Sequence, residues 1–249
     1  MVTPDTSGPA SSAAGDIFAT TRWTVVLAAG RQATPQSTQA LEELCRGYWF
    51  PLYAYVRRRG FSKEDAEDLT QAFFERFLTR NLLEGLSAER GRFRAFLLAS
   101  LKNFLANEWD KSRRQKRGGQ AAHLSLDWRT ADTQFQLAST TEPSPDRVFD
   151  REWAVALLKK VLERLRSECA GEGRAAQFDE LRVFLTAGKG ARTHAEAASR
   201  LGMEETAVRV AVHRLRKRYR WLLRDEIAQT LSDPAQLEEE LRALFGAFS

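Results

Sequence analysis

Three stretches of this sequence carry polar groups at spacings that could do chemistry. In RVAVHRLRKRYRWLLR, residues 209–224, seven of sixteen residues are Arg or Lys, one is His and none is acidic. Guanidinium groups donate in a planar fork that fits phosphate and the guanine edge, so this stretch suits nucleic acid if a helix presents it outward. In SKEDAEDLTQAFFERFL, residues 62–78, Glu64, Asp68, Gln71 and Glu75 recur at steps of four and three, with Asp65 alongside. Carboxylates held on one helix face can meet the arginines of a basic partner in fixed geometry; the bland alternative is a solvated face. A two-metal carboxylate site is disfavoured, because no His and no second carboxylate cluster stand nearby at matching spacing. Thr70 falls within this face, where a phosphate would add charge.

The third stretch, RFRAFLLASLKNFLANEWDKSRRQKRG, residues 92–118, ends with Lys111, Arg113, Arg114, Lys116 and Arg117. Phe93, Phe96, Leu97, Leu101 and Phe104 are spaced to pack inward. Lys102, Asn103, Asn107 and Trp109 interrupt them with groups that hydrogen-bond or stack. Unpaired nucleic acid needs stacking surfaces, amide edges and backbone charge together. A core helix with a solvated cationic end has the same composition, and the stretch alone does not separate the two.

All three depend on helices to hold them. Apolar spacing is helical almost throughout and hairpin dipeptides such as Asn-Gly are absent, so the expected fold is all-α, in two small helical domains joined by a flexible linker. Helices are expected over 18–29, 38–59, 63–81, 92–117, 146–169, 175–187, 194–201, 205–229 and 234–245. In the acidic stretch Ser62 is the N-cap and Ala66, Leu69, Phe73 and Phe77 form the buried stripe. Before the basic stretch, Thr193 and Glu196 fit a capping box. Ala198, Gly202 and Val208 then suit a helix-turn-helix: a small residue at the crossing, a Gly able to take positive φ, and an apolar anchor. Val208, Val212, Leu215, Tyr219 and Leu222 are the buried stripe of its second helix. Arg209, His213, Arg216 and Arg220 lie away from it, supplemented by Arg214, Lys217 and Arg218, which is the arrangement of a recognition helix in a major groove.

Composition sets the wider limits. With 249 residues, 43% of them hydrophobic and 10% aromatic, the chain can bury the cores of two ordinary domains. Its net charge of +5 is unevenly spread: residues 102–118 hold six basic groups against two acids, 205–224 seven against one, and 232–249 one against four. Two basic segments suggest polyanion contacts at two places. The expected organisation is a disordered tail over 1–16, a first domain over 17–118, a Ser/Thr/Gln-rich linker over 119–145, a helix-turn-helix domain over 146–231 and an acidic amphipathic helix over 232–249. Cys45 and Cys169 form neither a disulfide framework nor a CxxC pair, and the N-terminal residues lack a secretory pattern, so a cytoplasmic location and no membrane span are expected.

The element DAEDLTQAFF, the aromatic-basic helix after it, and the helix VHRLRKR placed ten residues beyond Gly202 closely resemble, in that order, the extracytoplasmic-function (ECF) sigma factors. These are small two-domain specificity subunits of bacterial RNA polymerase, and the likeness covers residues 40–228. The resemblance implies core RNA polymerase (β′ and β subunits) and promoter DNA as partners, with no cofactor. The acidic helix would dock on the β′ coiled-coil through Asp65, Asp68 and Gln71, with Glu64 and Glu75 on the same face. Residues 96–117 would melt and read the promoter −10 element: Lys102 and Asn103 where a flipped base is held, then Asn107, Trp109, Arg113, Arg114 and Arg117. The −35 element would be read as duplex through Thr206, Arg209, Val210, His213 and Arg214, followed by Arg216, Lys217 and Arg218. An anti-sigma factor or another regulator stays open as a further partner.

The sequence departs from that pattern at Asn107, where an acidic residue is usual, and at Val210 and Ala211, where polar residues or Arg are common. The tail DPAQLEEELRALFGAF extends past the usual end of the family. Leu237, Leu241, Leu244 and Phe245 make an apolar stripe that either packs within the chain or binds a regulator. The rival reading is a stand-alone helix-turn-helix regulator that never touches polymerase. An enzyme is not expected: there is no P-loop, GxGxxG or HExxH, and His123, His194 and His213 are scattered.

Overall fold

A computed structural model of the chain describes residues 22–29, 34–79, 92–112, 128, 130–138, 144–186 and 192–248. Among them every regular element is helical, apart from one isolated antiparallel bridge between Arg92 and Leu231. The chain divides into two compact units, residues 1–154 with 227–249, and residues 155–226.

The first unit begins with α1 (Arg22–Ala29) and α2 (Pro35–Arg46). Thr34 caps α2 by accepting from the Ser37 N–H at 3.1 Å, while Pro35 in the first turn gives up no hydrogen bond. The helix expected over 38–59 is two helices, α2 and α3 (Trp49–Arg58), broken at Gly47 and Tyr48. Pro51 explains the break: it has no N–H to give a preceding turn and is tolerated only near a helix start. Helix α4 (Lys63–Thr79) starts at Ser62, whose Oγ accepts from the Asp65 N–H at 3.0 Å. Helix α5 (Phe93–Ser112) completes an aromatic core. In it Trp23 stacks on Phe96, Phe77 lies 5.8 Å from Phe96, and Phe73 meets Phe104 edge-on.

Two segments join this unit unexpectedly. The stretch 119–145, read as linker, contains α6 (Ala131–Ala138). Trp128 packs edge-on against Trp49 and Tyr53, and Arg57 both pairs with Asp132 at 3.2 Å and lies over the Phe135 ring. Its two aromatics supply apolar burial that the surrounding Ser, Thr and Gln conceal in a composition count. The C-terminal segment also belongs here. Phe93 donates its N–H to the Thr230 carbonyl at 3.0 Å and Trp23 to that of Gln229 at 3.1 Å. A 3₁₀ turn (Pro234–Gln236) then leads into α12 (Leu237–Gly246).

The tail packs within the first unit. Glu240 is fully buried and accepts two hydrogen bonds from the Arg94 guanidinium, at 2.8 and 3.2 Å, with Arg92 at 3.5 Å. Arg94 also pairs with Asp150 and lies 4.3 Å from the Trp153 ring centroid. The expected apolar stripe is corrected at Phe245, which is 62% exposed. Leu237 and Leu244 face inward, but the buried position one turn from each goes to Glu240, because the two arginines neutralise it there.

The second unit holds α7 (Pro145–Gly171) from Val155 onward, α8 (Ala175–Leu181), α9 (Val183–Thr186), α10 (His194–Leu201) and α11 (Glu205–Ala228) up to Glu226. The helix expected over 175–187 is split at Arg182 into α8 and α9. Helix α10 has the expected reciprocal cap: Thr193 Oγ1 accepts from the Glu196 N–H, and Glu196 accepts from the Thr193 N–H at 2.9 Å. It ends at Gly202, whose φ of 62° lies in the left-handed region where a side chain is strained. Val208, Val212, Leu215 and Leu222 are buried beneath α11.

Candidate nucleic-acid and docking surfaces

Helix α4 sorts its residues cleanly by side. Ala66, Thr70, Phe73, Phe74 and Phe77 are buried, whereas Glu64, Asp65 and Asp68 are exposed and Gln71 and Glu75 half-buried one and two turns further along. Capping holds Asp65, because the Ser62 hydroxyl donates to its carboxylate at 2.8 Å. The Gln71 amide donates to Glu75 at 3.2 Å. The result is a rigid acceptor surface with Asp68 at its centre. Thr70 is not part of it: it stands one turn after Ala66 on the inward stripe, is fully buried, and its Oγ1 has no hydrogen-bond partner among the described residues. A phosphate on Thr70 would have no room in this fold.

On α5 the expected polarity also appears. Phe96, Leu97, Leu101, Phe104 and Leu105 are buried, and Lys102, Asn103, Ala106 and Asn107 are exposed. Lys102 sits in a cleft of about 650 Å³ with Tyr55, Arg59, Phe61 and Asp146, its ammonium 5.9 Å from the Tyr55 ring centroid and ion-paired to Asp146. Tyr55, Arg59 and Asp146 escaped the sequence reading, since none shares a helix face with Lys102 and only the packed unit brings them together. The Trp109 side chain and Arg113, Arg114 and Arg117 lie outside the described residues.

Helix α11 follows α10 after the short turn at Gly202. Thr206, Ala207, Val210, His213, Arg214 and Lys217 are exposed. The basic side chains then separate into two kinds. Arg209 forks onto Glu205, at 3.1 and 2.6 Å, and Arg216 donates to the Phe184 carbonyl at 3.3 and 3.0 Å. The Phe184 ring stacks on His194 at 4.8 Å, which gives that histidine a packing role. Arg218 forks onto Glu168, at 2.7 and 2.9 Å, and lies 4.3 Å from the Trp221 ring centroid. Those donated hydrogen bonds hold the Glu168 carboxyl below its ordinary range. Arg214, Lys217 and Arg220, by contrast, have no ion-pair partner among the described residues.

The described residues contain no group of three or more His, Cys, Asp or Glu able to hold a metal ion, and no helix among them is long and apolar enough to cross a membrane.

Residues 50–115, which include most of α3 and all of α4 and α5, match the family model Sigma-70 region 2. The match supports a sigma-70 family sigma factor in transcription initiation, with core RNA polymerase and promoter DNA as interaction partners. No curated protein and no solved structure matches the chain.

Proposed function

We propose that this chain is an ECF-type sigma factor. It docks on core RNA polymerase through the outward face of α4, engages the melted −10 element with the exposed face of α5, and reads the −35 element as duplex with α11 in a helix-turn-helix. The observation that carries the reading is the sorting of α4 within the matched residues: Glu64, Asp65 and Asp68 are exposed, with Gln71 and Glu75 beside them, while its aromatic residues are buried. An acidic face held by a capped helix on an aromatic core presents fixed acceptors to arginines.

The mechanism follows from the chemistry of each face. Lys102, Asn103 and Asn107 offer charge and amide edges, so these three side chains hold backbone and base edges. Binding there replaces the Lys102–Asp146 ion pair by a Lys102–phosphate one. Exposed pairs contribute at most about 1 kcal/mol, so this exchange is nearly balanced. On α11, Arg214, Lys217 and Arg220 are available to DNA, while Arg209, Arg216 and Arg218 first hold the unit in shape.

Binding of fluorescently labelled protein to bacterial core RNA polymerase tests the proposal. Asp68→Lys is the informative variant, because the Asp65 carboxylate also holds the Ser62 hydroxyl that caps the helix, and its loss would mix folding with docking. Reversing a charge in a buried polar contact costs on the order of 2 kcal/mol or more, so affinity should fall at least about tenfold. Unchanged core binding by Asp68→Lys would remove the docking role of α4, whereas no core binding by the wild type, with specific duplex binding by the chain without polymerase, would replace the sigma-factor reading by that of a stand-alone regulator.

A further inference from the structure

The first two turns of α11 present an apolar surface where a base-reading helix ordinarily carries polar groups. Val208 and Val212 are buried, and at roughly 100° per residue Val210 lies on the far side of the helix from both. It is 50% exposed, and its exposed neighbours on that side are Thr206 and Ala207. Arg209 flanks this side but is forked onto Glu205, and the basic side chains with no ion-pair partner among the described residues start one turn later, with Arg214 and Lys217. Val210, Ala207 and Arg214 share one strip of the helix, at steps of three and four, so whatever meets Val210 also meets the Arg214 guanidinium.

One chemical feature of a DNA major groove matches an exposed valine flanked by an alanine and a threonine methyl: the C5-methyl group of thymine. We propose that Val210, supported by Ala207 and Thr206, is a specificity-determining residue that selects thymine through its C5-methyl, next to a guanine read by Arg214. This deepens the duplex-reading part of the function proposed above and rests on it. The selectivity comes from burying methyl against methyl, so removing the base methyl while keeping every hydrogen-bonding edge abolishes it. Replacing Val210 by a smaller polar residue that has no methyl does the same from the protein side. Val210 is half-exposed and lines an open cleft of the second unit with Phe178, Leu181 and Met203 rather than its buried core, so Val210→Ser leaves the fold intact.

The test uses the full chain bound to core RNA polymerase. A duplex pool of random sequence is enriched for binding, and the recovered duplex is resynthesised with single thymines changed to deoxyuridine. The expected result is that one or two positions lose about three- to fivefold in affinity per methyl with the wild-type chain. Val210→Ser binds the thymine and deoxyuridine duplexes equally at those positions, and Arg214→Ala keeps the methyl effect but relaxes a neighbouring guanine. Equal binding of both duplexes by the wild type, or a methyl effect that survives in Val210→Ser, overturns the proposal while leaving duplex reading in place. Weakened core binding by Val210→Ser with no methyl effect also overturns it, and assigns Val210 to a polymerase contact. If no sequence is enriched at all, the duplex-reading function fails, and this inference with it.

Discussion

Arg94 in the first unit and Arg214 in the second carry the same guanidinium in opposite situations. Arg94 is largely buried, forked onto a fully buried Glu240, paired with Asp150 and laid over Trp153. Arg214 is exposed, on the outward side of α11, with no ion-pair partner among the described residues. A buried guanidinium without a carboxylate would leave an uncompensated charge in a poorly polarisable surrounding, so the first unit ties its arginines to α12. An exposed guanidinium already meets water, which a phosphate can replace at small cost. The difference teaches that arginine count says little about nucleic-acid contact; what matters is whether a carboxylate already holds the group. Arg209, Arg216 and Arg218 fall between these extremes, since each is exposed yet engaged within its own unit.

The comparison can be broken most directly at Glu240. Glu240→Ala leaves Arg94 with the part-exposed Asp150 as its remaining carboxylate, and equilibrium denaturation should show a loss of up to about 3 kcal/mol, the scale for removing one partner of a buried pair. Deleting residues 233–249 should do at least as much damage to the first unit, and a truncated chain of unchanged stability would contradict the packing role assigned to the tail. At the other pole, Arg214→Ala should leave stability within about 0.5 kcal/mol. Its cost should appear in duplex affinity instead, at about 1–3 kcal/mol in titrations with polymerase-bound chain. Gly202→Ala sharpens the contrast by moving the reading helix without touching a charge. A left-handed residue with a Cβ is strained by about 1–2 kcal/mol, so thermal unfolding should shift downward and duplex affinity with it.

The smallest expected effect concerns the intermediate class. Arg218 holds the Glu168 carboxyl below its ordinary value of 4.5. A carboxylate with a lowered folded pKa contributes stability that is fully present above its unfolded value and is lost as pH falls through the folded one. Stability of the second unit should therefore decline as pH drops below about 4.5, and Glu168→Gln should flatten that limb. The pair is partly exposed, so the difference should stay under about 1 kcal/mol; identical acid limbs for wild type and variant would mean that Arg218 is not held by Glu168 in solution.

Local chemistry fixed a good part of this molecule in advance. The cap at Ser62, the reciprocal cap at Thr193 and Glu196, the left-handed Gly202, and the inward stripes of α4, α5 and α11, in which only Leu69 and Tyr219 are half-buried, are all written within one or two helical turns, where 3.6-residue periodicity and backbone capping act. The polar faces of α4 and α5 follow from the same periodicity, since the side opposite a buried stripe is the presented one. What periodicity could not convey is which distant group lies across from a given side chain. Thr70 is buried despite its polar side chain, because it stands one turn after Ala66 on the inward stripe and spacing outweighs residue type there. Tertiary packing alone decided that residues 227–249 return to the first unit, that Trp128 and Phe135 bring α6 onto α3, that Asp146 sits on Lys102, and which arginines of α11 are engaged. Arg94 and Glu240 stand 146 residues apart. Charge pairing over that separation leaves no local pattern; only the folded chain brings its two ends into one core.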